Sequence, residues 1–388
     1  MSCMSSSTQH SALSTQCSSE HSTLSTQHVP RGKRVLAALS GGVDSAVATA
    51  LLVEAGYEVI AISMLLAGNV ESRDGGCCSI DDFQDARRVA EHLEIPYYVL
   101  NLKDAFQQRV MNVFTDEYRR GRTPNPCLLC NRDLKFDLLW KRARELDADF
   151  VATGHYARIQ HNAQSERYQL LKGTDPRKDQ SYFLFTLNQA QLARTLFPVG
   201  HMTKDEVREK ARQLGLRLAE KPESQDICFI PDGDYARFIE QRLAPEQLTP
   251  GEIVDHDGNI LGQHTGIHRF TIGQRRGLAI GGLSEPRYVT QIDAQNGRVM
   301  VGEKNHLGAP GLKATNVSWT EDVPDKSQPI TVKIRYRHPA LPARVVPQPD
   351  GKALVWFHTA SPAVTPGQAA VFYDGERVLG GGWIEGAL

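Results

Sequence analysis

The chain has 388 residues, 40% of them apolar and 23% charged, and a net charge of −1. That is the composition of a globular protein of two or three domains, and it advertises no global field for nucleic acid, so any RNA contact must come from local patches. No apolar run approaches a membrane span, and the first thirty residues do not read as a secretory or transit signal.

Residues 1–31 form a tail rich in Ser, Thr, Gln and His, with one short motif repeated at 10–16 and 21–27. Such a segment cannot bury a core and is expected to be disordered. A short apolar strand follows at 35–39, then the hexapeptide Ser40-Gly41-Gly42-Val43-Asp44-Ser45, then an apolar helix over 46–55 that stops at Gly56. A strand, a Gly-Gly turn and a helix N-terminus make an anion site, because unsatisfied backbone N–H groups and the positive dipole end point at one spot. The ligand expected there is phosphate or pyrophosphate. The loop lacks the Gly-Lys-Ser/Thr ending of a Walker loop. The bland reading is a tight turn capped by Asp44 or Ser45.

Strands are expected at 57–64, 97–102 and 150–153. Helices are expected after a capping box at Ser79-x-x-Asp82, at 105–119, at 134–146, and after a second box at Thr203-x-x-Glu206. This alternation predicts an α/β fold, a doubly wound parallel sheet with ligands at the strand C-terminal ends. From 231 to 293 the pattern weakens into a small central domain with a hairpin turn at Asp257-Gly258. From 294 to 388, short β-rich runs at 299–301, 331–336, 353–357 and 369–373 alternate with Asn-Gly and Asp-Gly turns, which predicts a small β-barrel. The expected domains are therefore 32–230, 231–293 and 294–388.

Seven cysteines in a chain of this length, without a secretory signal, argue against a disulfide framework and for a cytoplasmic protein. Cys127 and Cys130 form a Cys-x-x-Cys behind Thr123-Pro124-Asn125-Pro126, and Cys228 lies in Ser224-Gln225-Asp226-Ile227-Cys228-Phe229. Three readings stand: Cys130 and Cys228 as a redox and persulfide-carrying pair, all three as ligands of an iron–sulfur cluster with one open iron, or buried structural cysteines or most of a zinc site. The adjacent Cys77 and Cys78 are read as space-filling, and Cys3 and Cys17 fall in the tail. His264 and His268 are four apart, but their surroundings argue against a helix and hence against a metal pair. Arg275 and Arg276 sit in a Gly-flanked loop suited to phosphate contact. Lys333, Arg335, Arg337, His338 and Arg344, with Tyr336 among them, read as a basic strand whose alternate residues share one face.

The hexapeptide resembles the pyrophosphatase loop of the PP-loop ATP-pyrophosphatases. With Thr123–Asn131, Ala152-Thr153-Gly154-His155-Tyr156-Ala157, Lys178-Asp179-Gln180-Ser181-Tyr182-Phe183, Ser224–Ile230, Phe270–Leu278 and Arg335-Tyr336-Arg337 in order, the chain resembles the tRNA-specific 2-thiouridylases, the family called MnmA in bacteria and TrmU in mitochondria. The resemblance implies a PP-loop domain, a small central domain and a C-terminal β-barrel. It implies ATP and Mg²⁺ as cofactors, tRNA as substrate, and a cysteine desulfurase or sulfur-relay protein as donor. The implied reaction adenylylates the C2 oxygen of wobble uridine 34 in the tRNAs for Lys, Glu and Gln, after which sulfur displaces AMP. Carried over by motif, Ala38, Leu39, Ser40, Gly41, Gly42, Val43, Asp44, Ser45, Met64 and Gly154 contact ATP. Cys130 matches the nucleophile and Cys228 the persulfide carrier. Asn125, Pro126 and Cys127 match the segment facing the target base; Lys178, Asp179, Gln180, Arg335, Tyr336, His155 and Gln368 match tRNA contacts. Well-known members carry Asp where this chain has Cys127, which keeps a [4Fe-4S] cluster on Cys127, Cys130 and Cys228 as an alternative to pure persulfide chemistry. Two other functions stay open: a PP-loop synthetase that installs nitrogen, such as one of the GMP type, and a non-catalytic tRNA- or cluster-binding protein.

Overall fold

The structure is a computed structural model that describes residues 32–66, 79–222, 227–281, 285–324 and 329–388. The tail, Cys77, Cys78 and the Ser224–Asp226 part of the third cysteine motif lie outside the described residues.

The first sheet is parallel, in the order β3-β2-β1-β4-β7. Its strands are β1 (Arg34–Ala38), β2 (Glu58–Leu65), β3 (Tyr97–Asn101), β4 (Phe150–Ala152) and β7 (Thr195–Leu196). Val35 pairs with Val59 on one side and with Phe150 on the other. Val35, Leu36, Ala61, Ile62 and Val151 are almost wholly buried, as central strands of a parallel sheet must be when helices cover both faces. Helix α1 (Val43–Glu54) presents small residues, Ala46, Ala48 and Ala50, to the core. Helix α2 (Ile80–His92) begins with the expected capping box, Ser79 with Asp82. The helix Lys204–Gln213 begins with the second, Thr203 with Glu206. The chain adds β2 and β3 on one side of β1, then crosses to the other side for β4 and β7. That reversal opens a crevice between the C-terminal ends of β1 and β4, where ligands of open α/β sheets bind.

The helix expected at 105–119 is present but broken: a π-turn at Gln107–Met111 separates two α segments. A second π-turn, Asn131–Lys135, follows the short helix Pro126–Cys130 directly. Such turns widen the backbone spiral and occur often at functional sites.

The hairpin β5 (Ala157–Asn162) with β6 (Arg167–Lys172) leaves the first sheet altogether. The middle sheet has the order β10-β11-β8-β9, from β8 (Gly251–Val254), β9 (Ile260–His264), β10 (Tyr288–Asp293) and β11 (Arg298–Gly302). The last six strands are β12 (Gly308–Trp319), β13 (Ile330–Lys333), β14 (Leu341–Gln348), β15 (Lys352–Pro362), β16 (Ala369–Asp374) and β17 (Arg377–Ala387). They run in the order β12-β15-β14-β13-β16-β17, and pairing of β12 with β17 closes them into an antiparallel barrel. Leu312, Val332, Val345, Val355, Phe372 and Ile384 fill it. β6 pairs with β17 outside the closed ring, Leu171 beside Arg377, so the β5–β6 hairpin extends the barrel sheet.

The basic strand expected through Arg335 and Arg337 is not formed. β13 ends at Lys333 and the chain turns, because the Arg335 guanidinium is drawn inward by backbone carbonyls. His264 and His268 do not share a helix, as expected: His264 ends β9 and contacts the Gly297 carbonyl, and His268 contacts Glu240. Among the described residues no helix is long and apolar enough to cross a membrane.

The Phe372 ring lies in the barrel core with no exposed surface. Phe372→Ala is expected to lower unfolding free energy by about 3–5 kcal/mol, through lost transfer energy and the cavity left behind. A urea midpoint equal to that of the unsubstituted protein would contradict this packing.

Candidate active site

The loop between β1 and α1 is shaped by its own residues. The Ser45 hydroxyl accepts from the Ser40 amide at 3.1 Å, lies 3.0 Å from the Ser40 hydroxyl and donates to the Gly42 carbonyl at 2.9 Å. Gly41 has φ +77°, and a Cβ there would strike the carbonyl of Asp82 in the first turn of α2. A Cβ at Gly154 would lie 2.7 Å from the Asp44 carbonyl carbon and the Ser45 nitrogen. Only glycine lets the end of β4 come this close to the start of α1. The N-cap of α1 is Gly42, and no side chain caps the helix. Its first-turn N–H groups thus keep their capacity for an anion. Neither Asp44 nor Ser45 caps the helix itself, although the Ser45 hydroxyl ties the turn ahead of it.

Asp44 is held from behind. Its Oδ1 accepts from the Tyr156 hydroxyl at 2.7 Å and from Lys204 Nζ at 2.6 Å. The Lys204 side chain is only 6% exposed, so its charge is tolerable there because it is paired and hydrogen-bonded. Ala38 to Ser45, Met64 at the end of β2 and Gly154 just after β4 all lie at the same C-terminal edge of the sheet.

The cysteine segment is positioned by its own caps. Asn125 Oδ1 accepts from the Cys127 amide at 3.1 Å, and Pro126 takes the first helical position, where no N–H is missed. Leu128 and Leu129 are buried, Cys127 is exposed and Cys130 half-buried. Desolvation by the surrounding protein pushes the Cys127 thiol pKa up, against the nearby Lys135 charge, which lowers it. Cys130 and Cys228 both pack against the apolar cluster of Leu66, Leu102, Phe106, Leu129 and Leu134. Leu66 directly follows β2, so this cluster reaches the sheet edge that carries the loop. Among the described residues, no group of three or more His, Cys, Asp or Glu is arranged to hold a metal ion. Cys130 and Cys228 are thus held by apolar packing, with Cys127 three positions ahead of Cys130.

Thr123, just ahead of this segment, joins three parts of the molecule. Its amide donates to the Pro366 carbonyl at 2.9 Å, its hydroxyl lies 3.1 Å from that of Thr271, and its carbonyl accepts from Gln368 Nε2 at 2.8 Å. Several motif residues matched to tRNA contacts are engaged inside the protein. His155 is buried between Phe136 and Phe197, with Nδ1 2.6 Å from the Thr153 hydroxyl. The buried Asp179 carboxylate accepts from the Gly173 and Ser181 amides. Gln180 Oε1 accepts from the Tyr156 amide. Arg335 ties the barrel to the middle module through the Ile272 carbonyl, and also reaches the Ala363 carbonyl and the Thr365 hydroxyl. The Tyr336 ring lies 4.4 Å from that of Phe183, and Lys178 is half-buried. Sequence reasoning missed Lys204 and Lys221 at the loop. The only signal for Lys204 was its place behind the Thr203 cap, and for Lys221 there was none.

Three family models match in chain order: a tRNA methyl transferase HUP domain over 33–232, a tRNA methyl transferase PRC-barrel domain over 236–303, and an aminomethyltransferase beta-barrel domain over 309–384. The full-length relatives carry a different description. The tRNA-specific 2-thiouridylase MnmA of Geotalea uraniireducens is 55% identical over 92% of this chain and 96% of its own. Those of Geobacter metallireducens and Magnetococcus marinus are 53% and 51% identical, over 92% and 91% of this chain and 98% and 99% of theirs. The chain belongs to the MnmA family of tRNA-specific 2-thiouridylases. By family it is a tRNA sulfurtransferase with a PP-loop nucleotide site, in keeping with the loop geometry above.

Two predictions follow from this geometry. Gly154→Ala forces β4 and α1 apart, at a cost of about 1–3 kcal/mol, so ATP affinity measured by calorimetry is expected to fall about tenfold or more. Unchanged affinity would put the nucleotide elsewhere. Burial, helped by the nearby Lys135 charge, pushes the His155 imidazole well below its ordinary 6.5, so it is neutral in the fold. The unfolded chain takes up that proton below about pH 6.5. The resulting stability is complete above that pH and is lost as pH falls toward the folded pKa, by at most about 1.4 kcal/mol per pH unit. His155→Gln is expected to flatten the loss between about pH 7 and pH 5, and parallel pH profiles would contradict a buried neutral imidazole.

Proposed function

We propose that the protein uses ATP to activate the C2 oxygen of wobble uridine 34 in tRNA, with the lysine, glutamate and glutamine tRNAs as substrates, and then replaces that oxygen with sulfur. The observation that carries this reading is the pairing of an uncapped α1 N-terminus with Cys130 and Cys228 on one apolar cluster that begins at Leu66. The amides of the α1 first turn hold the phosphates, and the dipole end favours the charge that develops on pyrophosphate as it leaves. Asp44, with Oδ1 fixed by Tyr156 and Lys204, keeps a second carboxylate oxygen for Mg²⁺, an ion that typically takes one or two carboxylates plus phosphate oxygens. When bound, Mg²⁺ supplies charge neutralisation on the phosphates.

In the first step the uridine C2 oxygen attacks the α-phosphorus, and the bond to the bridging oxygen breaks with release of pyrophosphate. The target base leaves its stack at small cost, since the anticodon loop is single-stranded. In the second step the outer sulfur of a Cys228 persulfide attacks C2, and AMP leaves with the former C2 oxygen. The Cys130 thiolate then attacks the Cys228 sulfur, freeing the 2-thiouridine sulfur and leaving a Cys130–Cys228 disulfide. A thiol reductant restores the pair, and a cysteine desulfurase or relay protein reloads Cys228. In this scheme Cys127 carries no sulfur.

Cys130→Ser and Cys228→Ser are expected to abolish 2-thiouridine, measured by mass spectrometry of digested tRNA, while ATP binding persists. Cys127→Ser in iron-free protein supplied with a persulfide donor is expected to thiolate. Normal thiolation in Cys228→Ser would overturn the persulfide route, and loss of activity in Cys127→Ser would return the three-cysteine cluster to consideration.

A further inference from the structure

Lys221 lies outside every motif that carries the family resemblance, yet its ammonium touches the nucleotide loop. Nζ donates to the Gly41 carbonyl at 2.9 Å, to Asp82 Oδ1 at 2.7 Å and to Asp85 Oδ2 at 2.7 Å. Those three acceptors use all three donors of an ammonium. Burial works against the charge, but the hydrogen bonds to Asp82 and Asp85 outweigh it and raise the pKa, so the group stays a cation. Both carboxylates belong to the first half of α2, the helix against which Gly41 is pressed.

The contact with Gly41 has a directional consequence. A trans peptide is planar, with its carbonyl and its N–H on opposite sides. Drawing the Gly41 carbonyl toward Lys221 therefore turns the Gly42 N–H away from Lys221, and this N–H immediately precedes α1. One ammonium fixes the orientation of a donor at the anion site.

Lys221 also lies seven positions before Cys228. Beyond Cys228 the chain is fastened again: the Phe229 ring sits edge-on to Phe106 and Phe114 at 5.5 and 5.4 Å, and 5.1 Å from Phe238. Lys221, on the nucleotide loop, and Phe229, on the cluster that Cys130 packs against, thus flank Cys228 in the sequence.

We propose that Lys221 is a positioning residue that sets the Gly41–Gly42 peptide for the nucleotide phosphates and, through the same ammonium, ties the chain seven positions ahead of Cys228 to that loop, so that nucleotide binding is felt at the sulfur carrier. This rests on the reading of Cys228 given above.

The test compares wild type with Lys221→Met and Lys221→Arg, using the α,β-methylene analogue of ATP with Mg²⁺. Two quantities are read: analogue affinity by calorimetry, and the rate of iodoacetamide alkylation of the Cys228 peptide with and without saturating analogue. Wild type is expected to change its Cys228 alkylation rate when the analogue binds. Lys221→Met is expected to bind about tenfold more weakly, the loss of one charge-assisted hydrogen bond, and to lose the alkylation response even at saturation. Lys221→Arg, which keeps charge and donors, is expected to recover part of both. Asp85→Asn removes one acceptor from an otherwise intact clamp, and it carries the test if Lys221→Met does not fold, with the same two effects in smaller measure. Wild-type affinity and an intact alkylation response in the Met variant, or in Asp85→Asn when the Met variant is unfolded, overturn the proposal. An unresponsive wild type also overturns it. Thiolation by Cys228→Ser would instead overturn the role of Cys228 and leave the affinity result for Lys221 standing.

Discussion

Between the end of β4 and the start of α1 there is no room for a side chain. Gly154 meets the Asp44–Ser45 peptide at a distance that no Cβ can enter, and Gly41 meets the backbone of α2 in the same way. The first contact follows from the reversal of strand order that sets β4 beside β1. Crowding at that point fixes the axis of α1, and the axis fixes where its uncapped amides point. Asp44, Tyr156 and Lys204 brace the helix start from the far side, while Lys221 braces the turn. The anion site is thus a consequence of backbone packing, and its side chains hold rather than form it.

The sulfur side depends on the same edge by a different means. Where the loop is held by hydrogen bonds to charged groups, Cys130 and Cys228 rest on apolar and aromatic packing. Just ahead of the cysteine segment, Thr123 is where the middle module and the barrel both fasten onto the strand-and-helix core. Arg335 completes that fastening from the barrel side.

Local chemistry was legible in the sequence and distant chemistry was not. The loop hexapeptide, the capping boxes at Ser79 and Thr203, and the Asp257-Gly258 turn are decided by neighbours within a few residues, so their spacing reveals them. Arg335 and Tyr336 read as an exposed basic strand, because nothing local shows that the carbonyls of Ile272 and Ala363 would turn the guanidinium inward. His155, Asp179 and Gln180 were legible as a motif, yet their hydrogen bonds are spent on the interior. Buried lysines such as Lys204 look like any surface lysine until their partners, 160 positions away in the case of Asp44, are placed beside them. The π-turn after Cys130 has no sequence signature at all.

The β5–β6 hairpin bears on how the molecule is made. Its free edge is filled by β17, about 200 residues downstream, and a ladder of that sequence separation is slow to close. Until β17 emerges from the ribosome, the nascent nucleotide-binding module carries an open strand edge, the feature through which unfinished chains stick to one another. A chaperone that shields strand edges would act on the interval between the two hairpin partners, and a truncation that removes β17 would be punished first by aggregation and only then by loss of catalysis.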